Sequence, residues 1–166
     1  MKKIIAVALL SVVMSSTASA AGNSVGVNYG LDWSGVLGLQ AEFDISKLAN
    51  NAPLAVQVLY KNYSQSYSTF FGTYKYSYTG FGAAAIYDFS SAMKLADKKI
   101  KPYAGLGLMT LSATLSDPTG NFNGTAANSG GIYFVGGARY ALTPQFDADL
   151  NYNNFGGLTI GANFKF

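Results

Sequence analysis

Along nearly the whole chain after residue 20, apolar and polar side chains alternate with a period of two. That spacing sends successive residues to opposite faces of a β-strand. It is cleanest at the C-terminus, where Leu158, Ile160, Ala162, Phe164 and Phe166 share one face and Thr159, Gly161, Asn163 and Lys165 the other. Upstream, Phe146, Ala148, Leu150 and Tyr152 alternate with Asp147, Asp149, Asn151 and Asn153, and Leu37, Leu39, Ala41, Phe43 and Ile45 with Gly38, Gln40, Glu42 and Asp44. The pattern predicts eight strands, at residues 23–32, 36–46, 54–63, 74–89, 102–115, 131–142, 146–153 and 157–166. The fifth, from Tyr103 to Leu115, is apolar on both faces, so periodicity gives it no orientation.

Most of these segments are near the 9–11 residues a tilted strand needs to cross a bilayer, and the fourth and fifth are long enough to project beyond it. An even count puts both termini on one side, which in bacterial barrels is the periplasm, with short turns there and longer loops outside. Outer loops are then expected at 33–35, 64–73, 116–130 and 154–156, and inner turns at 47–53, 90–101 and 143–145. The stretch Ser90 to Lys101, with Lys94, Lys98, Lys99 and Lys101, reads as a solvated turn with room for one helical turn. Leu142 and Phe146 share the apolar face, so Thr143-Pro144-Gln145 between them makes a three-residue hairpin loop. That register sets Arg139 opposite Asp149 on the inner face, where an arginine fork and a carboxylate are expected to pair. Asp147 and Glu42 are expected to complete the network.

Three features bear on where this alternation sits. The first is the N-terminus, where Lys2 and Lys3 precede the apolar stretch Ile4 to Val13 and the small-residue site Ala18-Ser19-Ala20. This is the order of a secretory signal peptide, too short in its apolar core to span a bilayer. Residues 1–20 are therefore expected to be removed, leaving a single domain over 21–166. The second is charge. Only 11% of residues are Asp, Glu, Lys or Arg, whereas a soluble barrel coats its outside with about a quarter to a third. Here the face opposite the apolar one is mostly Gly, Ser, Asn and Thr, side chains that suit the narrow interior of eight strands. Phe43, Tyr87, Phe89, Tyr140, Phe146, Phe164 and Phe166 fall near inner strand ends, and Tyr29, Tyr60, Phe81, Phe134 and Tyr152 near outer ends, as two interfacial girdles would. The fold class expected is all-β, an eight-stranded antiparallel up-and-down transmembrane β-barrel in a bacterial outer membrane.

Composition also excludes chemistry. The chain has no His and no Cys, which removes the usual general base, most zinc geometries and the thiol nucleophile. Asp147 and Asp149 share a face, yet they lie where the barrel interior would be, so they read as structural rather than as a glycosidase pair. Gly80, Gly82, Gly105, Gly107, Gly136 and Gly137 lie inside strands with no helix following, and read as packing and curvature rather than a phosphate loop. No enzyme, cofactor or metal is expected. Without the leader the chain carries nine basic and eight acidic residues, a net charge of +1, which points to no nucleic-acid partner.

Two functions remain open. One is a surface barrel that maintains the envelope or presents the uncharged aromatic group Tyr67, Phe70, Phe71, Tyr74, Tyr76 and Tyr78 to a ligand or host partner. The other is a small pore using Gln40, Glu42, Lys61, Arg139, Asp147 and Asp149 as a lumen polar network. Size argues against the pore, because open aqueous channels belong to larger barrels. The surroundings are expected to be outer-membrane lipid and lipopolysaccharide, and the barrel a monomer, since closure leaves no edge to pair.

The stretches "GFGAAAIYDF" at 80–89, "KPYAGLGL" at 101–108, "ARYALTPQFDADLNYN" at 138–153 and the terminal "GANFKF" resemble, in order, the small eight-stranded outer-membrane proteins. These are the barrels grouped with the opacity proteins and neisserial surface protein A, related to the outer-membrane protein A and X barrels. The resemblance implies that the last strand, with Phe164 and Phe166, is read by the barrel insertion machinery. It also implies possible adhesion or host-factor binding through outer loops, although the first and last of those loops are very short here.

Overall fold

In the computed structural model, residues 22–32, 35–70, 72–116 and 123–166 are described, with only the backbone described at 123–127. The expected leader, Phe71 and the middle of the 116–130 stretch lie outside them. Eight strands form one closed sheet in sequence order: β1 (Ser24–Gly30), β2 (Leu37–Asp44), β3 (Leu54–Thr69), β4 (Gly72–Asp88), β5 (Ile100–Ser116), β6 (Asn123–Ala141), β7 (Phe146–Asn153) and β8 (Gly157–Lys165). Every neighbouring pair is antiparallel, and β1 closes on β8 with Val27 opposite Ala162.

Apolar side chains face outward, where lipid replaces water as their surroundings: Leu37, Leu39, Ile132, Leu150, Tyr152 and Ile160 are all exposed. The outward aromatics pair across strands, Tyr60 with Phe81 at a centroid distance of 4.9 Å and Phe146 with Phe164 at 5.1 Å. The orientation left open for the fifth strand is settled by Leu106 and Leu108, 63% and 70% exposed, against buried Tyr103 and Met109. Odd-numbered residues of β5 therefore face the lumen.

Two expected loops are strand instead. The residues at 64–73 continue β3 and β4 as a regular hairpin, pairing Tyr63 with Tyr78, Gln65 with Tyr76 and Tyr67 with Tyr74. Cross-strand aromatic pairs and Ser/Thr alternation hold a hairpin together without an ion pair. Likewise β6 begins at Asn123 rather than at 131, with a register shift against β5 between Ala113 and Thr114. Among the described residues, β2 pairs with β3 only as far as Asn62, and β7 with β6 only to Val135. Beyond those points β3–β6 alone continue, as a four-stranded wing about 20 Å long at the end away from the termini. At the other end the lysine-rich turn does hold one helical turn, α1 (Ser90–Met93), closed by Lys94 in the left-handed conformation (φ 47°, ψ 41°).

Candidate functional site

The lumen is divided lengthwise by chemistry. β1, β2, β7 and β8 line it with polar groups, among them Asn28, Glu42, Asp147, Asp149, Asn151, Asn153, Thr159 and Asn163, all buried. β3–β6 line it mainly with Leu59, Ala84, Ile86, Tyr103, Met109, Tyr133 and Val135, which pack into one apolar cluster. In a narrow lumen filled in this way, polar side chains meet mainly one another across the interior.

The last hairpin places Arg139 opposite Asp149, the register its three-residue loop dictates. The two do not form the expected fork. Arg139 reaches across the barrel instead, donating from Nη1 to Glu42 Oε1 at 2.8 Å and from Nη2 to Oε2 at 2.6 Å. Its guanidinium also lies over the Tyr103 ring, 4.3 Å from the centroid. Asp149 accepts from the Tyr103 hydroxyl at 2.9 and 3.1 Å and from Asn151 Nδ2 at 3.2 Å. Asp147 does not join this network but pairs with Lys165 at 2.8 Å. The physical reason is reach: adjacent strands in a tightly curved barrel point their long side chains across the lumen, so the chord partner wins over the neighbour.

Gln40 donates to Asn163 at 2.8 Å and accepts from Asn28 at 3.0 Å. Lys61, 2% exposed, donates to Asn153 Oδ1 at 2.7 Å. Asn153 in turn donates to Asn151, which donates to Asp149. The amide column of β7 thus links a buried cation to a buried anion that it does not touch. Tyr103, Asn151, Asn153, Asn163 and Lys165 were missing from the expected network. The inward parity of the last four was legible and that of Tyr103 was not, and which of them meet was not legible for any. Both carboxylates of the conceivable glycosidase pair are enclosed and engaged.

Above this network the lumen is closed by Phe155 and Val36, both buried, and Lys61 lies beneath Phe155, 5.8 Å from its ring centroid. On that floor stands a cavity of about 810 Å³ open toward the wing. One wall is the inner face of the β3–β4 hairpin, with Tyr63, Gln65, Tyr67, Thr69, Tyr74, Tyr76 and Tyr78; Leu111 and Asn154 complete it. Tyr67 meets Tyr76 edge-on at 5.8 Å, Tyr63 lies 6.0 Å from Tyr78, and the Tyr63 hydroxyl donates to Gln65. Four members of the expected aromatic group, Tyr67, Tyr74, Tyr76 and Tyr78, therefore converge on one bowl. Phe70 stands exposed at the hairpin tip and is not among the lining residues. Tyr63, which shares their parity, was missed because it was assigned to the membrane-crossing part of β3. A second cavity, about 340 Å³, opens at the end with the termini and is bordered by Glu42, Asp44, Asp88, Asp147, Lys101, Arg139 and Lys165.

A family profile described as an outer membrane protein beta-barrel domain matches residues 4–166. No curated protein matches the chain. Among solved structures, it is similar to neisserial surface protein A (NspA), with 24% identity, a TM-score of 0.59, and 87% of this chain and 94% of that one covered. The attachment invasion locus protein Ail of Yersinia pestis, solved with the heparin analogue sucrose octasulfate, is 14% identical, with a TM-score of 0.54 over 87% of this chain and 94% of Ail. The N-terminal β-barrel domain of Pseudomonas aeruginosa OprF is 15% identical, with a TM-score of 0.53 over 87% of this chain and 96% of that domain.

Proposed function

The chain belongs to the outer membrane protein β-barrel family, a multi-pass barrel of the bacterial outer membrane, and from that premise we propose that it is a non-enzymatic surface protein whose wing holds a ligand outside the cell. The observation that carries this reading is the bowl: a concave, mostly aromatic face built on paired strands, projecting beyond the barrel at the end away from the termini. In this orientation the termini and α1 lie in the periplasm, following the rule of short turns inside. The alternative, a pore, draws less support, because Phe155, Val36 and the packed wall of Leu59, Ile86 and Tyr133 fill the lumen beneath the bowl. The heparin analogue bound by Ail offers no direct guide, since among the described residues the bowl is lined by no Lys or Arg to meet a sulfated ligand.

The test shortens the β3–β4 hairpin so that Asn62 and Thr79, which face each other, are joined by a two-residue turn. Cells displaying the intact barrel are compared with cells displaying the shortened one on epithelial monolayers, mucin and matrix protein. Adherence should fall about tenfold or more while the amount of heat-modifiable barrel is unchanged. Equal adherence on every surface would count against the reading, as would regular conductance steps from the intact protein in a planar bilayer.

We also propose that the insertion machinery recognises the C-terminal strand. Phe164 faces outward against Phe146, and the backbone N–H of Phe166 donates to Asn23 at 3.0 Å, tying the last residue to the barrel seam. Deleting Phe166 should lower the barrel recovered from outer-membrane fractions but leave refolding in micelles intact. Loss of refolding as well would make the effect one of stability rather than recognition.

A further inference from the structure

Resting on the reading of the wing as a ligand-holding surface, we propose that the bowl takes an uncharged oligosaccharide, laid against the rings of Tyr67, Tyr76 and Tyr78. Three properties of the site select that class.

The first is charge. Among the described residues, the lining contains no Asp, Glu, Lys or Arg. Lys61 lies beneath Phe155 and is held by Asn153, and Lys75 alternates onto the other face of the hairpin from Tyr74 and Tyr76. An acidic polysaccharide or a phosphate ester would leave water for a wall with nothing to neutralise it. The second is the pairing of flat apolar faces with polar rims. Tyrosine offers a rigid ring for an apolar face and a hydroxyl at its edge, at low entropic cost. Five tyrosines, with Gln65, Thr69 and Asn154, surround the space with donors and acceptors. A pyranose has the matching anatomy, C–H faces and hydroxyl edges, whereas an acyl chain would bury those groups without partners. The third is form. The volume of about 810 Å³ lies within the range of small-molecule sites, about 300–1,000 Å³. The rings are pre-set by strand pairing, Tyr63 opposite Tyr78 and Tyr67 opposite Tyr74, so little order remains to be imposed on binding.

The experiment uses the full barrel refolded in a zwitterionic detergent free of sugar, titrated calorimetrically with maltotriose, triacetylchitotriose and lacto-N-tetraose. A heparin tetrasaccharide and dodecanol serve as anionic and acyl comparators. At least one neutral glycan should bind saturably, with an affinity that changes little between about 0.05 and 0.5 M salt, because no screened charge pair contributes. The double variant Tyr67→Ser/Tyr76→Ser should weaken binding about tenfold or more, and Tyr67→Phe, which keeps the ring, should weaken it less. Heat modifiability verifies that each variant is folded. Binding of the heparin fragment or of dodecanol alone, or of none of the probes, would overturn the proposal. If glycans fail to bind while the shortened hairpin still abolishes adherence, the surface reading stands and the ligand class falls. If glycans bind while the shortened hairpin adheres normally, the ligand class stands and the adhesive reading falls.

Discussion

Arg139→Ala is expected to cost the barrel about 3–5 kcal/mol, the penalty for breaking a buried ion pair from one side. Glu42 is only 5% exposed, and both its oxygens accept from the guanidinium, at 2.8 and 2.6 Å. Truncating the arginine leaves that carboxylate unpaired at the border of the cavity near the termini and removes the cation from the face of Tyr103. Lys98→Ala, in the exposed turn before β5, should stay within about 0.5 kcal/mol of the parent. Replacing both members of the pair, Arg139→Met with Glu42→Gln, should recover most of the loss, because a pair exchanged for neutral groups of similar size leaves no lone charge. Urea titration in lipid vesicles followed by circular dichroism gives the ordering. A double-mutant cycle should couple Arg139 to Glu42 more strongly than to Asp149, which has Tyr103 and Asn151 as its own donors. Stronger coupling to Asp149 would restore the hairpin pair that the register alone implies.

That contrast marks how far the sequence could be read. Period-two alternation is a local property, so the number of strands, their order and, outside β5, the side each residue faces were legible. The loop Thr143-Pro144-Gln145 even set the last hairpin's register, Leu142 N donating to Phe146 O at 2.9 Å. Partners across the lumen were not legible, because Glu42 and Arg139 are 97 positions apart and meet only once curvature and closure are fixed. The wing was legible only in part. The lengths of the fourth and fifth strands allowed them to project beyond the bilayer, but Ser64 to Thr73 has the Ser/Thr/Tyr/Gly content of a loop, which hid the continuation of β3 to Thr69 and its tight hairpin with β4. For β5 the obstacle was symmetry: glycines occupy the inward positions 105 and 107, so neither face looked polar. The bowl was accordingly visible as an aromatic cluster, while its concave shape and its floor of Phe155 and Val36 were not.

Those inward glycines give the other large effect, and their neighbours decide its size. Gly107 lies opposite Ala84, where an added Cβ would sit 2.0 Å from the Ala83 carbonyl oxygen and 2.5 Å from Ala84 Cα. These are backbone atoms of β4, which cannot swing aside as a side chain can. Relief requires β4 and β5 to part and lose ladder hydrogen bonds, and in a closed barrel the displacement is passed to β3 and β6 rather than absorbed at a free edge. Gly107→Ala should therefore cost at least the upper end of the usual overpacking range, about 3 kcal/mol. At Gly105 the closest atom is Ile86 Cδ1, at 2.3 Å, with the Ala85 carbonyl oxygen at 3.0 Å. A rotamer change of Ile86 relieves the worst of that clash, so Gly105→Ala should cost less. Gly131 would place a Cβ within 4 Å of nothing. There alanine should be neutral or stabilise by up to about 1 kcal/mol, since it restricts the unfolded chain more than the folded one. The order of stability loss, Gly107 first, Gly105 second and Gly131 last, is read by the same urea titrations. If Gly107→Ala and Gly131→Ala unfolded together, then β4 and β5 would not approach as closely as the pairing of Ala84 with Gly107 requires, and the packed lumen that argues against a pore would lose one of its tight backbone contacts.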